Sequence, residues 1–183
     1  MKKLKFKEVK EEGLKLDMGT GKGVNKPEGF LGVDIEKGPA VDKVVDLRKR
    51  WPWKDKSVDE INAHYLLQYL KPEERKHFVN EAHRVLKTGG KLVIVSPHWC
   101  ASKAYGDLDA CYPPIAEAWF MMTNKDFREA QNFAIKGYSC DFDYTLGYML
   151  HPALQPRALD FQQNAITWYK EAAQDIACTM IAK

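Results

Sequence analysis

Glycines and acidic residues near the amino terminus are spaced as a ligand-binding loop requires. Residues 14–23, LKLDMGTGKG, read as an apolar strand entering a loop with glycine at alternate positions. Glycine lets the backbone turn sharply and approach a ligand closely, because a side chain would collide with it. Asp34 follows in the next apolar run, LGVDI, where its carboxylate can accept hydrogen bonds from ribose hydroxyls. The pattern predicts a site for a ligand that contains a nucleoside.

The segment between these two runs narrows the class of nucleoside ligand. It spans only residues 19–29 and is rich in glycine, whereas a crossover between parallel strands normally needs about a dozen residues or more, usually with a helix. Pro27 and Gly29 leave no helix to receive a pyrophosphate, and Val24 stands where a nicotinamide-dinucleotide fingerprint needs glycine. The Gly-Lys pair at 21–22 lacks the spacing of a Walker loop. We therefore expect a ligand with one nucleoside and no phosphate.

Strand-like and helix-like segments alternate through the first half of the chain and would position these residues. Pro72 stands where a helix best tolerates proline, and an apolar face repeats along residues 72–87. Gly89 and Gly90 are expected to cap the end of that helix. The alternation predicts an α/β fold with a parallel sheet and right-handed crossovers. The predicted strands are residues 14–18, 30–35, 41–47, 58–64 and 91–96.

The second half of the chain is less regular. Alternating residues predict two late strands that form an antiparallel hairpin on the parallel sheet. We interpret residues 1–183 as one domain, in which residues 97–150 form a segment that covers the substrate. The predicted helices are residues 115–122, 124–136 and 157–172, and the late strands are residues 141–148 and 176–180.

Composition argues against several functional classes. The 28 basic residues are largely interleaved with 25 acidic ones, for a net charge of +3, so no basic face for nucleic acid is indicated. No apolar run approaches the ~18 residues that span a bilayer, and the basic amino terminus lacks the apolar core of a secretory signal. Four cysteines without a Cys-x-x-Cys pair suggest reduced, packing thiols. We expect a cytoplasmic protein that binds neither nucleic acid nor membrane.

Six segments follow one another with the order and spacing of class I S-adenosylmethionine-dependent methyltransferases, which the chain resembles over about residues 14–98. It is most similar to the small methyltransferase-11-type branch with a shortened first crossover, common in bacterial and phage genomes. The resemblance implies a Rossmann-like three-layer sandwich, with a mostly parallel sheet and an antiparallel C-terminal hairpin. The segments are LDMGTG (16–21), GVDI (32–35), VDL (45–47), WPWKDKSVDEI (51–61), AHYLLQYL (63–70) and EAHRVLKTGGKL (81–92).

The resemblance implies S-adenosyl-L-methionine as cofactor and S-adenosyl-L-homocysteine as product. The glycine loop would pass under the methionine part, with Asp17 at the amino group, while Asp34 would take the ribose hydroxyls. His64 and Tyr65 would border the sulfonium, although a hydrogen-bonded core role for His64 is an equal alternative. The cofactor residues so implied are Asp17, Gly19, Thr20, Gly21, Asp34, Ile35, Asp46, Leu47 and His64.

The sequence indicates less about the methyl acceptor than about the cofactor. The motifs of DNA-base methylation are missing after the fourth strand, so we expect a small-molecule substrate. His98, after the fifth strand, is a candidate general base because its ordinary pKa lies near neutrality. Its alternative is a loop residue that faces solvent or caps the strand. Tyr65 is a second candidate catalytic residue, and no metal site is predicted, although Asp107 and Asp109 could approach His98.

The resemblance implies an enzyme of the EC 2.1.1 type, and two alternatives use the same cofactor site. One is lysis or decarboxylation of S-adenosylmethionine, and the other is a binding module without turnover. Because the first crossover is short, we expect residues 1–13 or the segment after Pro97 to close the cofactor pocket. Nothing in the sequence indicates an oligomeric state.

Overall fold

The computed structural model describes residues 13–23, 26–131 and 136–183, in which seven strands form one sheet. The sheet order is β3-β2-β1-β4-β5-β7-β6. Strands β1 to β5 pair in parallel, and β7 runs antiparallel to both of its neighbours. This arrangement confirms the predicted fold class. The strands are β1 (Lys15–Met18), β2 (Leu31–Asp34), β3 (Lys43–Val44), β4 (Val58–His64), β5 (Leu86–Pro97), β6 (Phe142–Leu150) and β7 (Ala173–Ala182).

Most of the described helices lie in the later connections of the sheet. Between β1 and β2 the described residues form turns. None of the helices in the described part of the chain has the length and apolar character needed to span a bilayer. The helices are α1 (Pro72–Val85), α2 (Lys103–Gly106), α3 (Glu117–Met121), α4 (Lys125–Ala130) and α5 (Leu159–Trp168), and a 3-10 turn spans Leu67–Tyr69.

The glycine pair expected to cap α1 has a different role. The helix ends at Val85, and Leu86 is already extended, with φ −66° and ψ 138°. Leu86 pairs with Val58, so β5 starts directly after the helix, and the pairing register shifts before Glu60. Gly89, with φ +80°, lies in this irregular part of the strand. The prediction of a glycine cap was therefore wrong, because strand pairing fixes the backbone at Leu86.

Two other elements differ from their predicted extents. The strand expected at 41–47 is reduced to two exposed residues in β3, at the edge of the sheet. β6 and β7 are antiparallel neighbours, with Thr145 opposite Thr179, but residues 151–172 and α5 connect them in place of a tight turn. Of the two, only β7 runs against the rest of the sheet.

The apolar core favours one face of the sheet. Along β5, Leu92 and Ile94 are fully buried, whereas Val93 and Val95 on the other face are half-buried. Phe78 of α1 belongs to the same core cluster as Leu92 and Ile94. Trp51 is also buried in this cluster, with its ring 5.1 Å from that of Phe78.

The other face of the central strands is polar. Strand register brings Lys15, Glu60 and Lys91 of β1, β4 and β5 into one row. Glu60 forms ion pairs with Lys15 at 3.8 Å and with Lys91 at 2.6 Å. Two residues further toward the carboxyl ends of the strands, the same face carries Asp17 opposite Asn62. Asp17 and Asn62 therefore lie near the carboxyl ends of the parallel strands, which is where ligands bind in open α/β folds.

Candidate functional site

The glycine loop after β1 is held close to β2. The backbone N–H groups of Gly19 and Thr20 both donate to the carbonyl of Val33, at 2.8 and 3.1 Å. Gly19 has φ +72°, and a Cβ there would lie 2.9 Å from Cδ1 of Leu66. A side chain at this position would therefore strain the backbone and collide with Leu66, which lies two residues after the end of β4. The loop geometry explains why glycine stands there.

Thr20 leaves a polar atom without a partner inside this loop. Its side chain is only 7% exposed, and its Oγ1 is buried with no hydrogen bond to any described residue. A buried hydroxyl without a partner costs about 1–3 kcal/mol. A polar ligand group seated on the loop would remove that cost, so Thr20 fits a binding role.

Asp34 is oriented by the loop that it faces. Its Oδ2 accepts a hydrogen bond from the backbone N–H of Gly21 at 2.9 Å, and its Oδ1 accepts one from Glu36 at 3.2 Å. An ionised carboxylate has about four acceptor sites, so both oxygens can still accept hydroxyl donors. The structure thus brings the acid and the glycine loop together at the end of β2.

A cleft of about 170 Å³ opens beside Gly19 and Asp34. Ligand sites usually measure about 300–1,000 Å³, so this cleft matches part of a nucleoside-sized ligand. Leu66, Tyr69 and Leu70 form a wall of this cleft that was not predicted, although all three lie in the resembling segment 63–70. The lining residues are Gly19, Asp34, Ile35, Val45, Asp46, Leu47, Arg48, Leu66, Tyr69 and Leu70.

Asp46 in this cleft is already engaged by a neighbouring cation. Arg48 donates from Nε to Asp46 Oδ1 at 2.8 Å and from Nη2 to Oδ2 at 3.1 Å. These hydrogen bonds lower the pKa of Asp46 to about 2. A ligand atom at the Asp46 carboxylate would therefore compete with the Arg48 guanidinium, whereas the backbone of Leu47 is not subject to that competition.

A second polar group lies on the other side of the glycine loop. Asn62 of β4 donates from its amide to Asp17 Oδ1, and both side chains are almost fully buried. His64 follows on the same face of β4, and burial lowers its pKa while the charge of Asp17 partly opposes that shift. Asn62 was not predicted, although its register opposite Asp17 follows from the strand pairing.

Tyr65 leaves β4 in an uncommon backbone conformation. Its φ of +53° is in the left-handed region, which is rare outside glycine and often marks functional sites. Its hydroxyl donates to Asp175 Oδ2 at 3.2 Å, and Lys103 pairs with Asp175 Oδ1 at 2.6 Å. Burial and Asp175 raise the pKa of Tyr65, so the phenol stays protonated at neutral pH. Tyr65 therefore bridges the ends of β4 and β7.

His98 is fully buried, which overturns the alternative of a solvent-facing loop residue. Its Nε2 lies 2.9 Å from Glu117 Oε1 and its Nδ1 lies 3.0 Å from Cys100 Sγ. Tyr148 donates to the same Glu117 oxygen at 3.2 Å. Both ring nitrogens of His98 thus have protein partners, and Glu117 is 29% exposed. Glu117 and Tyr148 were not predicted, and the sequence pattern carried no signal for them.

Residues 107–115 are anchored onto the 3-10 turn that lines the cleft. Arg75 of α1 is 2% exposed and donates to the carbonyls of Leu67, Cys111 and Pro113 at 2.9, 2.8 and 2.6 Å. Tyr69 also donates to Asp107 at 2.7 Å. Part of the predicted covering segment therefore packs beside the cleft.

Two further expectations concern the approach of Asp107 to His98 and the closing of the pocket by the amino-terminal residues. Asp107 does not join His98, whose partners are Cys100 and Glu117. No group of three or more metal-ligating side chains occurs in residues 13–23, 26–131 and 136–183. Residues 1–12, of which a closing role was also expected, lie outside the described residues.

A protein family and a curated relative match part of the chain. Residues 16–94 match a family described as a methyltransferase domain. An uncharacterized protein of Methanocaldococcus jannaschii is 32% identical over 92 residues, which cover 46% of this chain and 44% of that protein. The match therefore spans less than half the length of this curated relative.

Solved structures extend the similarity to most of the chain. An S-adenosylmethionine-dependent methyltransferase from Archaeoglobus fulgidus superposes with a TM-score of 0.65 at 17% identity, covering 92% of this chain and 86% of that one. Phosphoethanolamine N-methyltransferase 2 of Haemonchus contortus, in complex with S-adenosyl-L-methionine, superposes with a TM-score of 0.56 at 15% identity, covering 93% and 49%. The chain has the fold of class I methyltransferases.

Proposed function

We propose that this protein is an S-adenosyl-L-methionine-dependent methyltransferase that acts on a small-molecule acceptor. The observation that carries the proposal is the glycine loop facing Asp34 at the carboxyl edge of the parallel sheet. The methyltransferase-domain match over residues 16–94 includes this loop, and the fold agrees with it. The enzyme is of the EC 2.1.1 type, and its products are S-adenosyl-L-homocysteine and a methylated acceptor.

The residues of the loop and cleft fit the parts of this cofactor. Asp34 binds the ribose hydroxyls, because it stands at the end of β2 with free acceptor sites. Ile35 and Leu47 contact the adenine in the cleft. The hydroxyl of Thr20, which has no partner among the described residues, binds a polar group of the cofactor. Asp17, held by Asn62, orients the amino group of the methionine part.

The protein contributes mainly position to the reaction. The sulfonium supplies an activated methyl group, so orientation can provide much of the rate enhancement, about 7–11 kcal/mol in favourable cases. Tyr65 is locked by Asp175 beside the end of β4, and His64 stays neutral because burial lowers its pKa. His98, predicted as the general base, is buried with its ring nitrogens bonded to Glu117 and Cys100, so it orients Glu117 and takes no proton from the acceptor directly.

The charge of the chain supports a small-molecule acceptor, and its thiols support a cytoplasmic location. A net charge of +3 with interleaved signs supports a small molecule over a polynucleotide. All four cysteines are free thiols, which supports a reducing compartment such as the cytoplasm. Residues 97–150 contain the groups that contact the acceptor.

Calorimetric titration with S-adenosyl-L-methionine tests the cofactor assignment. We expect binding by the parent protein and a loss of affinity of about tenfold or more in Asp34→Ala, because hydrogen bonds to a charged acceptor are lost. Asp126→Ala, which removes an exposed carboxylate on α4, is the matched control and should bind normally. No binding by the parent protein, or equal affinity in the two variants, would contradict the assignment.

Product analysis separates the alternatives. Incubation with labelled S-adenosyl-L-methionine and a panel of hydroxyl, amine and thiol acceptors should yield S-adenosyl-L-homocysteine. Methylthioadenosine would indicate lysis of the cofactor, and binding without any product would indicate a module without turnover.

A further inference from the structure

A second cleft opens next to the buried His98 and Glu117 pair. It measures about 520 Å³ and lies between the end of β5, the end of β6 and one face of α5. Of the six described residues that line it, Glu117 is the only charged one. The lining residues are Trp99, Glu117, Tyr148, Gln163, Ile166 and Thr167. The cleft therefore combines one carboxylate with aromatic, apolar and uncharged polar side chains.

Glu117, which lines this cleft, has one carboxylate oxygen that receives no hydrogen bond from another described residue. The hydrogen bonds from His98 and Tyr148 both reach Oε1, and no described residue donates to Oε2. The hydrogen bond from His98 lowers the pKa of Glu117 to about 2, which keeps its carboxylate ionised at neutral pH. Burial and Glu117 raise the pKa of Tyr148 to about 12, so Tyr148 remains a donor. The site thus offers a fixed negative charge.

The aromatic walls are fixed around that charge. The ring of His98 packs edge-on against Tyr148 with centroids 5.7 Å apart, and it lies 5.5 Å from the ring of Trp99. Trp99 also donates its backbone N–H to Ile115, which ties it to the segment before α3. Cations bind favourably over Trp and Tyr faces, worth about 0.5–2 kcal/mol. Carboxylate and aromatic faces together match an organic cation.

The position of the cleft relates it to the proposed methyl-transfer site. Trp99 follows β5, which is next to β4 and two strands from the glycine loop on β1. Neighbouring strands lie about 4.8 Å apart, so the β5 side of the cleft is about 5 Å across the sheet from the end of β4 and about 10 Å from the end of β1, and the β6 side lies about 10 Å further away. A short extended molecule can span that distance. One end of an acceptor bound in the cleft would thus reach the methyl donor.

We propose that the cleft between Trp99, Glu117 and Tyr148 binds the cationic ammonium group of the acceptor substrate. This inference rests on the proposed methyltransferase function and adds the substrate class, a small organic amine. The cleft recognises and positions the ammonium group through charge and cation-π contact, and no proton transfer at Glu117 is involved. Neutral and anionic molecules of the same size would lack both interactions.

Benzylammonium, benzyl alcohol and benzoate are matched probes of the proposed site. The protein is saturated with S-adenosyl-L-homocysteine at pH 7, and the indole N–H resonances of its tryptophans are followed by nuclear magnetic resonance during each titration. We expect the Trp99 resonance to shift with benzylammonium and to shift far less with the other two probes. Glu117→Gln should weaken benzylammonium binding about tenfold, because the ammonium group then lacks a negatively charged hydrogen-bond partner at position 117. Glu129→Gln, an exposed change on α4, is the matched control.

The outcomes distinguish this inference from the proposed function. S-adenosyl-L-homocysteine binding without any benzylammonium binding overturns the inference and leaves the methyltransferase proposal standing. Equal affinity for benzylammonium in the two glutamine variants also overturns it. Trp99→Ala serves as a second variant if Glu117→Gln does not fold, and calorimetry, which does not need the Trp99 resonance, should show benzylammonium binding weakened roughly fivefold. Benzylammonium binding that depends on Glu117, in a protein that binds no cofactor, supports the cationic site and contradicts the methyltransferase proposal.

Discussion

Replacing Arg75 with methionine should destabilise the protein and loosen the wall of the cofactor cleft. The guanidinium is buried and donates three hydrogen bonds, all to backbone carbonyls. Within the described residues it has no carboxylate partner, and burial lowers its pKa, although an arginine remains charged. Arg75→Met keeps the length of the side chain and removes every donor.

The expected loss follows from the three carbonyls that remain. Each loses a charge-assisted hydrogen bond, and an unsatisfied buried acceptor costs about 1–3 kcal/mol. Against this, removal of a buried charge relieves its desolvation cost, which offsets part of the loss. The hydrogen bonds from Arg75 to the carbonyls of Cys111 and Pro113 are only partly buried, so water can bind these two carbonyls in the variant. We therefore expect a net loss of about 2–4 kcal/mol in the free energy of unfolding.

Urea titration followed by tryptophan fluorescence measures this loss. Arg157→Met is the control, because the exposed Arg157 side chain makes no hydrogen bond or ion pair with any described residue, and it should change stability by less than about 0.5 kcal/mol. Since Tyr69 and Leu70 line the cleft, Arg75→Met should also weaken binding of S-adenosyl-L-homocysteine. An unfolding midpoint equal to that of the parent protein would refute the role assigned to Arg75.

Three further predictions concern single sites. Gly19→Ala places a Cβ 2.9 Å from Leu66 at φ +72°, so calorimetry should show at least about tenfold weaker S-adenosyl-L-homocysteine binding, and unchanged affinity would contradict the close approach. The pKa of Glu117 is about 2 in the folded protein, below its ordinary value. The ionised carboxylate therefore stabilises the fold fully above pH ~4.5, and this stabilisation is lost as the pH falls toward 2. Between pH 5 and pH 3, the free energy of unfolding should fall by about 2 kcal/mol more in the parent protein than in Glu117→Gln. Glu81→Ala removes the carboxylate that accepts the backbone N–H of buried Trp51, and urea titrations should show a loss of about 2–3 kcal/mol in the free energy of unfolding. A loss below about 0.5 kcal/mol would show that water replaces the carboxylate.

Most of the fold was predictable because its signals are local. The apolar runs of β1, β2 and β4 and the Pro72 start of α1 agree with the predicted positions to within about a residue or two. The start of β5 was not predictable in the same way. Leu86 becomes extended because it pairs with Val58, 28 positions earlier, and the Gly89–Gly90 pair carries a turn signal whichever element it follows. The local pattern did not distinguish a helix cap from an irregular strand.

The two halves of the candidate site differ in the same physical way. The glycine loop and Asp34 follow two successive strands, with Gly21 only 13 positions before Asp34, so the residue types at strand ends already indicated a nucleoside site. On the acceptor side, Glu117 is 19 positions from His98, and Tyr148 is 31 positions from Glu117. Asp175 is 110 positions from Tyr65. Only the strand order β5-β7-β6, set by long-range pairing and core packing, brings these side chains together. The sequence by itself thus determined the fold class and the expectation of a nucleoside, and the tertiary structure decided which charged and aromatic groups face the acceptor.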